Sequence, residues 1–164
     1  MQKIKMYVMC GIPGSGKSTW IREHLPNAAV ISRDAIRFTI VKEDEEYFSH
    51  EKEVFDEFVN QIKYALKWKE EVVVDATHLN EGSRNKLFRA IGIDLKNVDI
   101  NAIVLNTSLE TALTRNDLRT GREFVPRGQI RRMFYQMTIP SFEEGFNKIY
   151  IVPENGPIII KEKE

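Results

Sequence analysis

A single cysteine, Cys10, and no excess of either charge, with 24 basic and 24 acidic side chains, set the first limits on this 164-residue sequence. One thiol excludes an intrachain disulfide and fits a reducing compartment, so the cytoplasm is the expected location. Nothing near Cys10 in sequence supplies a base, and it reads as a buried thiol at a strand end, not a nucleophile. The charge balance excludes an overall basic coat for nucleic acid, so any argument from charge has to be local. No apolar run approaches the ~20 residues of a membrane span, and no membrane partner is expected. The basic start and short apolar stretch from Met1 to Gly11 superficially resemble a leader, but no small-residue cleavage site follows; the segment reads as a first strand.

What is present is a balance of 42% apolar and 29% charged residues, suited to one globular domain over residues 1–164 with a core of its own. Apolar stretches alternate with segments of helical period, the pattern of a parallel sheet covered by helices, hence an α/β fold in three layers. Strands are expected over Ile4–Cys10, Ala28–Ser32, Val72–Asp75, Val98–Leu105 and Lys148–Val152. A short edge strand is expected over Pro157–Ile160, followed by a frayed charged tail. Helices are expected over Lys17–Leu25 and Glu51–Lys69, and from the turn at Leu79–Ser83 to about Ile91. Two more run from an N-cap at Ser108 to about Arg119, and from Pro126 to about Met137. Residues 42–46 read as an acidic, solvated loop.

Gly11 to Ser18 satisfies the P-loop pattern of Gly, four residues, then Gly-Lys-Ser without a mismatch, after an apolar strand and before an amphipathic helix. In that setting backbone amides and a helix N-terminus converge on phosphate oxygens, and glycines permit the close approach. Lys17 would reach the β- and γ-phosphates of a nucleoside triphosphate, and the Ser18 hydroxyl would complete the shell of a magnesium ion held by phosphate oxygens. The motif does not name an acceptor, and a binding-only ATPase stays open on this ground.

Asp75 ends an apolar strand, where it fits a magnesium-supporting acid, a partner for an arginine, or a cap of the turn through Thr77. His78 beside it reads as a turn residue. Asp34 and Arg37 fall just past the end of the second strand, at the rim where open parallel sheets bind ligands. There the carboxylate could take the proton of a hydroxyl and the arginine could grip a substrate phosphate; a helix cap with a surface arginine is the plain alternative. Between Arg115 and Arg132 stand six arginines against Asp117 and Glu123, a local net of +4. Arg115 and Arg119, four apart, are expected on one helix face. The segment reads as a helical lid over the triphosphate at about residues 115–138, or as a solvated basic helix, and Arg122, Arg127, Arg131 and Arg132 receive no individual role.

Gly-Ile-Pro-Gly-Ser-Gly-Lys-Ser-Thr-Trp at 11–20, Ser-Arg-Asp at 32–34 with Arg37, and Val-Val-Asp-Ala-Thr-His-Leu-Asn at 73–80 together resemble the kinase domains of phage and bacterial polynucleotide 5′-hydroxyl kinases. Arg84, Arg115-Asn116 with Arg119, Val125-Pro126 and the segment from Arg131 to Met137 follow in the same order, so the resemblance covers nearly the whole chain. It implies a P-loop kinase fold with an arginine-rich lid that transfers the γ-phosphate of ATP, with Mg2+, to a 5′-hydroxyl of DNA or RNA. ATP contacts would come from Gly11, Pro13, Gly14, Ser15, Gly16, Lys17, Ser18 and Thr19, with Arg115 and Arg119 from the lid. Asp34 would be the general base, assisted in catalysis by Lys17 and Arg119. Arg37 would contact the substrate's 3′-phosphate, braced by Asp75. The sequence carries no phosphatase or ligase domain, so end healing would need separate end-processing partners, and His78 stands where those enzymes often have Asn. Related kinases of small molecules or modified nucleosides carry a similar set, and an ATP-dependent switch that captures a partner protein is the reading of a different class.

Overall fold

The computed structural model describes residues 2–164, the side chain of Ile93 excepted. One six-stranded sheet has the order β2-β3-β1-β4-β5-β6. Its strands are β1 Ile4–Cys10, β2 Ala29–Ser32, β3 Glu71–Asp75, β4 Val98–Asn106, β5 Lys148–Pro153 and β6 Ile159–Glu162. The first five are parallel, and β6 pairs antiparallel with β5. The helices are α1 Lys17–His24, α2 Arg33–Ile40, α3 Glu51–Trp68, α4 Glu81–Ile91, α5 Leu109–Asp117 and α6 Arg127–Gln136. No helix among the described residues is long and apolar enough to cross a membrane.

The period-two alternation of the strands builds two cores. Met6, Val8 and Cys10 of β1 point to one face, joining Val72, Val74, Ala102, Val104, Ile149 and Ile151 under α2, α3 and α4. In α3 the stripe Val54, Phe58, Val59, Ile62, Ala65 and Leu66 meets that face at helical steps. Met9, Val73, Ile103 and Leu105 point the other way, against Trp20 and Ile21 of α1. A third cluster, Ile12, Ala112, Leu113 and Ile130, fastens α5 and α6 to the loop after β1.

Helix starts follow local chemistry. The Ser32 hydroxyl accepts from the Ala35 amide to open α2, and Asn80 and Ser83 form a reciprocal capping box at α4. The Ser108 cap expected for α5 is present, accepting from the Thr111 amide.

Two expectations are corrected. The edge strand lies two residues further on, because the turn with Gly156 at φ +101° uses Pro157, and β5 then pairs Ile151 with Ile159 and Lys148 with Glu162. Lys161 and Glu162, expected to fray, are therefore inside the ladder, with Lys148 Nζ 3.4 Å from Glu162. Helix α5 also stops at Asp117, so Arg119 lies beyond its end and does not share a helix face with Arg115.

Candidate active site

All the parallel strands end at one rim, where a cavity of about 1500 Å³ opens between the loop after β1, α2, the start of α3 and the segment joining α5 to α6. The loop from Gly11 to Gly16 is held by its neighbours. The Gly11 amide donates to Thr77 O at 3.0 Å, the Thr107 hydroxyl to Ser15 O at 2.9 Å, and Arg115 Nη1 to Gly14 O at 3.3 Å. Gly14 and Gly16 have φ of +84° and +96°, and a Cβ on Gly14 would stand 2.5 Å from Ala112 O. Glycine is required at position 14 by both its dihedral and the closeness of α5.

Lys17 Nζ donates to Gly11 O at 2.8 Å and Ile12 O at 3.1 Å, folded back over its own loop. Burial lowers the pKa of its ammonium, opposed by the carboxylates of Asp75 and Asp34, so the three groups share one electrostatic neighbourhood. Asp75 is raised by burial, while Lys17 pulls it down and Asp34 pushes it up. Ser15 Oγ is buried without a hydrogen-bond partner among the described residues, and Ser18 is exposed on the first turn of α1. Backbone amides, a half-buried lysine and a helix start together suit anionic oxygen ligands.

Across the cavity, Arg37 is 5% exposed and organises the opposite wall. Its Nε and Nη2 donate to the two oxygens of Glu51 at 2.9 and 3.1 Å, and its Nη1 donates to Asp34 Oδ1 at 2.5 Å and to the Tyr47 hydroxyl at 3.0 Å. Four of the five guanidinium N–H groups are thereby engaged. The Tyr47 hydroxyl donates in turn to Asp34 Oδ1 at 2.8 Å. Burial, and then the charge of Asp34, push the Tyr47 phenol up to about 12, which keeps its proton available for that bond. Asp34 Oδ2 has no partner among the described residues, and the Asp34 side chain is 65% exposed to the cavity.

The arginine-rich segment from Arg115 to Arg132 divides into separate parts. Asn116 braces it from within, its Nδ2 donating to Val125 O at 2.7 Å and its Oδ1 accepting from the Val125 amide at 3.0 Å. Arg122 reaches the wall that carries Arg37, donating to Phe38 O at 3.3 Å and Val41 O at 2.5 Å with its guanidinium 4.7 Å from the Phe38 ring centroid. Arg115 and Arg119 line the cavity beside the glycine loop, Arg127 pairs with Asp117, and Arg131 and Arg132 face outward.

The geometry thus gathers Lys17, Ser18, Asp34, Asp75, Arg115 and Arg119 around one space. It does not join Arg37 to Asp75: the carboxylates bonded to Arg37 are Asp34 and Glu51. Arg84, a member of the ordered motif set, is 0% exposed and away from this wall; Glu144, His78 O and Thr138 take all its donors. His78 is a turn residue at φ +43°, its Nδ1 2.7 Å from Met9 O, and burial pushes it down to about 4. Tyr47 and Glu51 are the residues that sequence reasoning missed. Glu51 carried only the signal of an acid in the first turn of a helix, and Tyr47 carried none.

Residues 6–140 match the AAA domain family, and the chain belongs to it. No curated protein matches the sequence. Among solved structures, a chain of the Pnkp1/Rnl/Hen1 RNA repair complex is 24% identical with a TM-score of 0.63, matched over 83% of this chain and 44% of its own. This chain therefore spans less than half of that one. A gluconokinase from Sinorhizobium meliloti 1021 is 21% identical with a TM-score of 0.57, covering 96% of this chain and 86% of its own. Kti12 of Chaetomium thermophilum in complex with ADP-AlF3 is 16% identical with a TM-score of 0.59, covering 92% and 89%. The chain has a P-loop kinase-like α/β fold.

Proposed function

We propose that this protein transfers the γ-phosphate of ATP to a hydroxyl, with the 5′-hydroxyl end of DNA or RNA as acceptor. The observation that carries the reading is the open oxygen of Asp34, fixed by Tyr47 and Arg37, in the cavity that the glycine loop and Lys17 share. The loop amides, Lys17, Arg115 and Arg119 hold and neutralise the triphosphate, and Asp34 Oδ2 accepts the proton of the incoming hydroxyl as its oxygen attacks. Lys17 must leave the two carbonyls it now caps to meet the phosphates.

Magnesium fits the oxygen chemistry of the site. No group of three or more His, Cys, Asp or Glu among the described residues could hold a metal alone. Phosphate oxygens with the Ser18 hydroxyl suit magnesium, which binds few protein ligands, and Asp75, which lines the same cavity and acts on Lys17, would supply a supporting carboxylate. The ion would shield the charge of the transferring phosphoryl group.

Resemblance to polynucleotide kinases and likeness to a chain of an RNA repair complex support a nucleic-acid end as the acceptor. The satisfied donors of Arg37 favour a positioning role toward Asp34 over a grip on a substrate phosphate. They also favour a second reading, a nucleoside or other small hydroxyl compound as acceptor. The test is labelled phosphate from ATP offered to 5′-hydroxyl oligonucleotides, nucleosides and sugars side by side. Label on the oligonucleotide end is expected, label on sugars alone would replace the acceptor, and ATP-dependent capture of a protein without transfer would replace the reaction.

A further inference from the structure

On the wall that carries Arg37 the arginines are turned chiefly toward the wall's own groups, although Arg33 Nε is buried without a partner among the described residues. Arg33 Nη2 and two donors of Arg37 all bind Glu51, and Asp34 takes a further bond from Arg37, so two guanidiniums and two carboxylates cancel. Arg122, the remaining arginine on this side, is held by two backbone carbonyls, and Glu43 and Glu45 add negative charge to the rim. What the wall does offer is aromatic surface. The Tyr47 ring lies 4.5 Å from the Arg37 guanidinium carbon, edge-on to Phe48 at 4.7 Å and to Phe38 at 6.3 Å. Phe48 is 48% exposed and Phe124, from the lid, 41%, and both line the cavity. Two exposed aromatic rings lining one cavity, beside a wall whose arginines are largely engaged, suit a flat ring better than an anion.

The geometry points to Phe48 and Phe124 as a stacking platform for the nucleobase of the acceptor's terminal nucleoside, with Arg37 positioning Asp34 instead of contacting a 3′-phosphate. This inference rests on the proposed transfer to a nucleoside hydroxyl. Tyr47 links the two halves: its hydroxyl holds Asp34, while its ring supports Phe48 from the edge. A base seated there would bring the hydroxyl of its own sugar toward Asp34. The same chemistry serves a free nucleoside or the end of a strand.

The test compares four acceptors with wild type, Phe48→Ala and Phe48→Trp: an oligonucleotide with a 5′-terminal base, the same strand ending in an abasic tetrahydrofuran, a nucleoside, and its 3′-monophosphate. Removing the terminal base should lower kcat/KM of the wild type by roughly 5- to 100-fold, through KM more than kcat. Phe48→Ala should erase most of that difference and Phe48→Trp restore it. Adding a 3′-phosphate to the nucleoside should change kcat/KM less than threefold. An oligonucleotide preferred over the nucleoside would identify a strand end as the source, and equal use would identify a free nucleoside. Abasic and base-bearing strands used within threefold of each other would overturn the inference. If no acceptor is phosphorylated, the transfer reading fails by itself, and calorimetric titration of the nucleoside decides the platform: weaker binding to Phe48→Ala than to wild type supports it, and equal or absent binding overturns it.

Discussion

Glu144→Ala should be among the most damaging single changes in the molecule, although it lies outside the cavity. Arg84 is completely buried, and Glu144 is its one carboxylate partner, at 2.6 Å to Nε and 3.2 Å to Nη2, with a side chain only 2% exposed. Removing the carboxylate strands a guanidinium in the interior, a change that typically costs about 3–5 kcal/mol. Against the ~5–15 kcal/mol that holds a domain together, this is a large fraction. For a chain of this size it corresponds to a fall in Tm of roughly 6–20 °C. Urea titration and thermal melting, read by circular dichroism with the denaturant slope checked for two-state behaviour, supply the measurement. The double variant Arg84→Met/Glu144→Leu separates charge from packing. An apolar pair removes the stranded charge, yet His78 O and Thr138 O lose their donor at ~1–3 kcal/mol each, so the double variant should lose about 2–6 kcal/mol, a loss of the same order as Glu144→Ala but without an unpaired buried charge. A loss below about 1 kcal/mol for Glu144→Ala would refute the reasoning, because a buried pair cannot be severed that cheaply.

His78 makes stability depend on acid. Its folded pKa, about 4, lies below the unfolded 6.5, so the unfolded chain binds the extra proton and stability falls as pH drops through that window. The loss approaches about 3 kcal/mol at 1.36 per unit. His78→Asn should remove it, whereas His50, raised by its bond to Glu45, works in the opposite sense as pH rises; unfolding curves from pH 6.5 to 4 compare the two proteins. Gly14→Ala should weaken ATP binding at least tenfold in a titration, since its Cβ would push against Ala112 O from a strained dihedral. Tyr47→Phe removes a hydrogen bond to Asp34 without touching the glycine loop. It should lower kcat by about 5- to 10-fold at unchanged KM for ATP, in line with ~1–1.5 kcal/mol for such a bond.

Where local chemistry decides the structure, it was legible in the residues alone. β1 and its glycine loop follow from an apolar run meeting Gly-x-x-x-x-Gly-Lys-Ser, and the observed strand has the expected bounds. The extent of α3 and the Ser108 cap are likewise written in consecutive residues. Arg37 shows where local reading stops, since the expected brace from Asp75 is replaced by Asp34 and Glu51. Its spacing from Asp34 is visible at once, but its bidentate partner Glu51 stands fourteen positions on, brought near only when α2 packs against α3. Without that partner the arginine reads as a free hand for phosphate. Arg122 is similar, since its carbonyl partners at Phe38 and Val41 are more than eighty positions away. β6 shows a milder limit: its register depends on β5, and charged residues that suggest a loose tail are held in the ladder.

The central claim is that Asp34 takes the proton of an acceptor hydroxyl while the glycine loop holds ATP. It is tested most directly by single-turnover transfer of labelled γ-phosphate to a 5′-hydroxyl oligonucleotide, wild type against Asp34→Asn, with ATP affinity measured on both. The account predicts unchanged ATP affinity and a transfer rate lower by roughly 10²- to 10⁴-fold in the variant. Transfer by Asp34→Asn at the wild-type rate would contradict it.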